Sequence, residues 1–172
     1  MSKGEPKRPG SDIRLVAFDV DGVFTDGRFY LSDDGVETKA FNTQDGFGIR
    51  QLLMAGVDVA VISGRRSRAV EKRMAELDVP HVILGCKDKP AAFDALAAHL
   101  DIDPAQAVFV GDDIPDLPLL SKVGFSIAVA NAVSAVRDYC DYTTSRPGGH
   151  GAVREVCELV LAGLASGKDE DQ

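Results

Sequence analysis

Long hydrophobic runs, paired cysteines and an excess of basic charge are all missing from this chain of 172 residues. No apolar stretch approaches the length needed to span a bilayer, so neither a spanning helix within these residues nor a membrane partner is expected. Met1 to Ser11 is polar and basic, yet no core of signal-peptide type follows it. The apolar run Leu15-Val16-Ala17-Phe18 is stopped at once by acids, so the default expectation is the cytoplasm. Cys86, Cys140 and Cys157 are odd in number and widely spaced, with no Cys-x-x-Cys pair. They read as reduced, mostly packed thiols rather than a disulfide frame or a zinc site. The net charge of −8 argues against a nucleic-acid binder that works through bulk electrostatics. Repeats, linkers and low-complexity segments are absent as well. The reading is therefore one domain over residues 12–165, with a disordered N-terminal arm over 1–11 and a flexible C-terminal tail over 166–172.

What is present is an alternation of short apolar runs and helical patterns. Ile13 to Phe18, Asp58 to Ile62, His81 to Leu84, Ala107 to Val110 and Phe125 to Val129 have the near-continuous apolar character of strands covered on both faces. Between them, Ile49, Leu52 and Leu53, then Val70, Met74 and Leu77, then Phe93, Leu96, Ala97 and Leu100 follow helical spacing. A last stripe runs from Val153 through Val156, Cys157, Val160 and Leu161 to Leu164. The pattern predicts a three-layer, Rossmann-like α/β fold, a parallel sheet with helices on both faces. Right-handed crossovers then bring all strand C-termini to one edge, where ligands bind in such folds. One segment breaks the alternation. Arg28 to Leu31 and Val36 to Phe41 flank Ser32-Asp33-Asp34-Gly35, which predicts a β-hairpin projecting after strand 1.

Four polar clusters each follow a predicted strand, so the topology gathers them on one edge. In Asp19-Val20-Asp21-Gly22, Asp19 can attack phosphorus, while Asp21 can protonate the leaving oxygen and later activate water. A crowd of nearby acids would help keep Asp21 protonated for part of the cycle. Taken alone, the same residues also suit a solvated acidic turn. Ser63 and Gly64, before a helix, can hydrogen-bond phosphate oxygens, although both are also ordinary helix-cap residues. Lys89, at the start of a helix opened by Pro90, can neutralise the nucleophile and the phosphoryl group, and is preferred to Lys87. Gly111-Asp112-Asp113-Ile114-Pro115-Asp116 offers carboxylates to a hard cation, naturally Mg²⁺. Without a metal such a group of acids would repel itself. Arg65, Arg66, Arg68, Lys72 and Arg73 form a basic stretch inside an acidic protein; a solvated helix face is the plain reading.

The order of these clusters resembles the haloacid dehalogenase-like phosphohydrolases over Ile13 to Leu164, carried by Asp-x-Asp-Gly and Gly-Asp-Asp-x-x-x-Asp. The resemblance implies Asp19 as nucleophile and Mg²⁺ ligand, and Asp21 as acid/base with its backbone carbonyl on the metal. It further implies Asp112 as another ligand and Ser63 and Lys89 as phosphate binders, and leaves open whether Asp113 or Asp116 touches the metal. The first gap holds only the hairpin, and Arg66 to Cys86 one helix and one strand, so no cap domain fits.

At finer grain Asp19 to Gly27, Phe41 to Ile49, Gly111 to Asp116 and Gly148 to Val156 resemble the capless 3-deoxy-D-manno-octulosonate 8-phosphate phosphatases of lipopolysaccharide sugar biosynthesis. That likeness implies a homotetramer in which projecting hairpins assemble and neighbouring subunits complete each site. By the same likeness Asn42, Thr43, Gln44, Asp45, Gly46, Arg50, Gly64, Arg65 and Arg73, with Lys89, would contact a phosphorylated sugar acid. Two departures stand out: Thr43-Gln44 lacks the basic residue common in the family, and His150 stands where Arg or Lys is frequent. The alternatives are a sibling phosphatase for nonulosonate 9-phosphates, a phospho-accepting receiver module, a dehalogenase and an idle assembly domain. The Asp-x-Asp spacing fits a receiver poorly, Asp21 argues against a dehalogenase, and the intact polar set argues against an idle domain.

Overall fold

A computed structural model describes residues 7–170 of the chain. Six parallel strands form its sheet: β1 (Leu15–Phe18), β4 (Asp58–Ser63), β5 (His81–Leu84), β6 (Ala107–Gly111), β7 (Phe125–Ala128) and β8 (Tyr142–Thr143). Their order is β5-β4-β1-β6-β7-β8, all pairs parallel. Every residue of β1 and β6 is buried, which explains their unbroken apolar character. Chain order reverses at β1, which has β4 on one side and β6 on the other, so a crevice opens beyond the C-terminal end of β1.

Helices α1 (Thr43–Met54), α2 (Arg68–Glu76), α3 (Lys89–Leu100), α4 (Leu117–Leu120), α5 (Ser134–Tyr139) and α6 (Ala152–Glu170) cover the sheet. Their starts follow local chemistry. Asn42 accepts from the Gln44 N–H, Ser67 from the Val70 N–H and Asp88 from the Ala91 N–H, and Pro90 occupies the first turn of α3. Helices α1 and α6 pack closely because Gly48 has no side chain; a Cβ there would lie 3.1 Å from the Cys157 Sγ. None of the helices among the described residues is long and apolar enough to cross a membrane.

The expected five core strands are all present, and β8 is an addition. Its two residues were too short to read as a strand from periodicity. The hairpin forms after β1, but pairing is confined to β2 (Tyr30–Leu31) and β3 (Glu37–Thr38) around a turn in which the Gly35 N–H donates to the Ser32 carbonyl. No cap domain intervenes among the described residues: β1 and α1 are joined by the hairpin alone.

Parts of the two terminal segments are described. Residues 166–170 continue α6 rather than forming a tail, because the apolar stripe that docks the helix runs to Leu164 and nothing breaks the helix after it. Within the expected disordered arm, Pro9 is buried and its carbonyl lies against Gly163 of α6, while Lys7 Nζ pairs with Asp141 at 2.8 Å. The remaining parts of those two segments, 1–6 and 171–172, lie outside the described residues.

Candidate active site

The crevice beyond β1 is an open cleft of about 300 Å³ lined by Asp19, Asp21, Ser63, Gly64, Arg65 and Asp112, among others. These residues come from the ends of three adjacent strands. Asp19 ends β1 with its Oδ1 accepting the Val20 N–H at 2.7 Å. Ser63 closes β4, buried, and its hydroxyl accepts the Arg65 N–H. Asp112 follows β6.

Lys89, at the first turn of α3, reaches across to this edge. Its buried ammonium lies 3.0 Å from Asp19 Oδ1 and 2.6 Å from Asp116 Oδ1. Asp116 is fully engaged, since its other oxygen accepts from the Asp112 and Asp113 N–H groups at 3.0 and 3.3 Å. It therefore braces both the lysine and the loop that carries Asp112. One ligand oxygen each of Asp19, Asp112 and Asp116 falls within 4.8 Å of the others. Burial, then the charge of Asp116, pushes the Asp19 carboxyl up to about 7 against the pull of Lys89. Burial, then the charges of Asp19, Asp116 and Asp113, pushes Asp112 up to about 8. Both are carboxyls that a divalent cation would return to the ionised form. Carboxylate oxygens gathered around a single lysine, with no soft ligand among them, fit Mg²⁺.

Asp21 stands apart from this cluster. The acids expected to crowd it gather around Asp19 and Asp112 instead, and Asp21 faces two cations. Its Oδ1 hydrogen-bonds Lys39 Nζ, and its Oδ2 lies 3.7 Å from Arg65 Nε. Arg65 is in turn held by Glu37 at 2.7 Å and stacks on the Phe29 ring at 4.2 Å.

Of the other residues expected to bind substrate, only Gly64 and Arg65 line the cleft. Asn42 caps α1 and donates to the Gly149 carbonyl at 3.3 Å. Thr43 and Gln44 are exposed in the first turn of α1. Asp45 is buried against α6 and accepts the Arg154 N–H at 2.9 Å, so it caps that helix. Gly46 makes room for the Arg73 guanidinium, 2.5 Å from where its Cβ would stand. Arg73 pairs with Glu76, while Arg50 pairs with Asp78 at 2.6 Å and the Glu76 carbonyl. Within one chain these side chains tie α1 to α2 and α6, and the cleft is built without them. Sequence spacing cannot separate a charge aimed at a ligand from one aimed at the neighbouring helix.

Sequence reasoning missed Lys39 and Asn131. Lys39 looked like one polar residue of a hairpin strand. The available signal was Glu37 two positions earlier, since alternate residues of a strand share a face. Asn131 had no signal. Its Nδ2 donates to the Gly22 carbonyl at 3.2 Å and its Oδ1 accepts the Gly148 N–H at 2.6 Å. Gly148 must be glycine, because a Cβ would stand 1.8 Å from the Gly22 oxygen. The Gly149 N–H then donates to the Val23 carbonyl, so the segment after β8 is seated on the loop that carries Asp19 and Asp21.

A parallel sheet with a strand-end aspartate, a second aspartate two residues on, and a lysine and acid cluster opposite defines a haloacid dehalogenase-like hydrolase. Comparison with known proteins agrees: the sequence model of the haloacid dehalogenase-like hydrolase family matches residues 85–155. The chain is 47% identical over 157 residues to the 3-deoxy-D-manno-octulosonate 8-phosphate phosphatase of Escherichia coli K12, covering 91% of this chain and 82% of that protein. The crystal structure of the Yersinia pestis phosphatase of that name superposes with a TM-score of 0.89 at 44% identity, covering 90% of this chain and 84% of that one. The Moraxella catarrhalis phosphatase, solved with magnesium ion, phosphate ion and a KDO molecule, gives 0.87 at 41% identity, covering 94% and 95% of the two chains. The chain belongs to the 3-deoxy-D-manno-octulosonate 8-phosphate phosphatase family and is a phosphohydrolase.

Proposed function

We propose that this enzyme hydrolyses 3-deoxy-D-manno-octulosonate 8-phosphate to the free sugar acid and inorganic phosphate, with Mg²⁺ as cofactor. The observation that carries this reading is the convergence of Asp19, Asp21, Ser63 and Asp112 on one cleft, with Lys89 paired to Asp19, in a chain 47% identical to phosphatases of that substrate. Asp19 attacks phosphorus through a carboxylate oxygen while the bond to the sugar oxygen breaks, giving an aspartyl phosphate. Asp21 delivers the proton to that departing oxygen, and later takes one from the water that releases phosphate. Ser63, the backbone of Gly64 and Lys89 bind the phosphoryl oxygens, and Lys89 offsets charge as it accumulates. Asp19 and Asp112, with the Asp21 carbonyl, would hold Mg²⁺, which supplies neutralisation of the phosphoryl oxygens. Asp116 would hold Lys89 and the Asp112 loop in place.

Among the described residues Arg65 is the guanidinium that lines the cleft, and it suits a sugar acid that carries a carboxylate as well as a phosphate. The open cleft and the exposed hairpin residues Tyr30, Leu31 and Val36 support a homotetramer in which the hairpins meet and neighbours close each site. A small phosphorylated substrate and the lack of any apolar spanning helix among the described residues accord with a cytoplasmic enzyme.

The test is phosphate release with Mg²⁺ from a panel of sugar phosphates that includes eight- and nine-carbon ulosonates, with Asp19→Asn as control. Preference for the octulosonate 8-phosphate, abolished in the variant, is expected. A preference for the nine-carbon acid would move the enzyme to the sibling reaction, and no turnover of any phosphate would end the enzymatic reading.

A further inference from the structure

Lysine is rarely buried, yet the Lys39 side chain is 0% exposed at the foot of a hairpin whose other side chains are mostly in solvent. Its burial is explained by what its ammonium meets. Asp21 Oδ1 hydrogen-bonds it, Glu37 Oε1 lies 3.6 Å away, and the Phe29 ring covers it at 5.5 Å. Glu37 also accepts from Ser67 Oγ at 2.7 Å and from Arg65 at 2.7 Å, which ties this group to the start of α2. The hairpin foot is thus a closed ring of two cations and two carboxylates, and one of its members is the residue that must hand a proton to the leaving group.

We infer that Lys39 is a positioning residue for Asp21: by fastening Oδ1 it fixes the carboxyl rotamer, with Oδ2 turned towards Arg65 of the cleft wall. The inference rests on Asp21 acting as the general acid. An aspartate on a turn otherwise has several staggered side-chain rotamers open to it, and a proton donor works only within hydrogen-bond reach of its target. Glu37, 3.6 Å from the ammonium, holds Lys39 within the hairpin foot from its other side. The hairpin foot therefore sets the aim of the acid, whatever its exposed tip does.

The chemistry supplies a readout that loss of structure would not imitate. A sugar alkoxide leaves poorly unless protonated, whereas 4-nitrophenolate is a stable leaving group that needs little help. The experiment compares kcat/KM for an alkyl sugar phosphate and for 4-nitrophenyl phosphate in wild type, Lys39→Met and Asp21→Asn, all as full chains checked for cooperative thermal unfolding. The expected result for Lys39→Met is a loss of about 30-fold or more on the alkyl phosphate and less than about 3-fold on the nitrophenyl ester, the first being part of the roughly 10²–10⁴-fold that a general acid supplies. Asp21→Asn should show the same selectivity more strongly. If Lys39→Met does not fold, Lys39→Arg, which keeps the charge but moves the donor, is read by the same ratio and should fall between wild type and Asp21→Asn. A selective Asp21→Asn beside an equal loss on both substrates for the Lys39 variants would overturn the positioning role alone. Lack of selectivity in Asp21→Asn itself would remove the acid assignment, and the inference with it.

Discussion

Gly22 offers a sharp test of how the catalytic turn and the acid cluster depend on each other. Its φ is +85°, and a Cβ there would stand 1.9 Å from Asp112 Oδ2 and 2.6 Å from Asp112 Cγ. Gly22→Ala therefore carries two costs. The left-handed backbone costs an alanine about 1–2 kcal/mol, enough to lower Tm by roughly 3–6 °C in a domain of this size. The collision is separate: the Asp112 carboxylate must retreat by about 1 Å or more to reach ordinary van der Waals contact. A proposed metal ligand displaced that far should raise the half-saturating Mg²⁺ concentration about 10- to 100-fold. Gly35→Ala is the matched control, because φ there is +78° and nothing lies within 4 Å of the added Cβ. Phosphate release titrated against Mg²⁺, alongside thermal unfolding, separates the two costs. Both variants should lose stability, and only Gly22→Ala should need more metal. An unchanged Mg²⁺ requirement in Gly22→Ala, or an equal rise in both, would refute the reasoning.

Asp45 caps α6 and is buried, and burial is the main cause that lifts its carboxyl above the ordinary range. Asp45→Asn keeps the accepting oxygen and should unfold within about 1 kcal/mol of wild type, whereas Asp45→Ala should lose about 1–2 kcal/mol; KM should stay within about twofold in the Asn variant. Asn131→Ala removes both ties between Gly22 and Gly148 and should cost about 2 kcal/mol in chemical denaturation and lower kcat. Glu155 loses some ease of ionisation to burial, but hydrogen bonds from Ser145, Tyr142 and Arg146 outweigh that and hold its carboxyl below 4.5. A depressed carboxyl stabilises above its unfolded value and stops doing so as pH falls through the folded one. Glu155→Gln should therefore be less stable than wild type at neutral pH, with the difference lost as pH falls through the lowered folded value.

The layer architecture was legible because β1, β4 and β6 are covered on both faces and so carry unbroken apolar runs. The convergence of Asp19, Ser63, Lys89 and Asp112 was legible for a topological reason: each closes or follows a parallel strand, and parallel strands share an edge. Elements shorter than a periodicity window, such as β8 and α4, left no trace. Partner choice was equally hidden. Arg65, Arg50 and Arg73 look alike in sequence, yet one faces the cleft and two face neighbouring helices. Lys39 was hidden because a strand residue shows the face it occupies and not what the hairpin folds against.

The seating of Gly148 and Gly149 on the Asp19 loop has a consequence for biosynthesis. The residues that brace the nucleophile's loop are made 130 positions after Asp19. At about 5–20 residues per second that interval lasts roughly 6–26 s. Through it the emerging chain carries Asp19 and Asp21 without the brace, and before residue 112 without the facing carboxylate. Hydrolytic competence should therefore wait until Gly148 and Gly149 have emerged and seated on that loop.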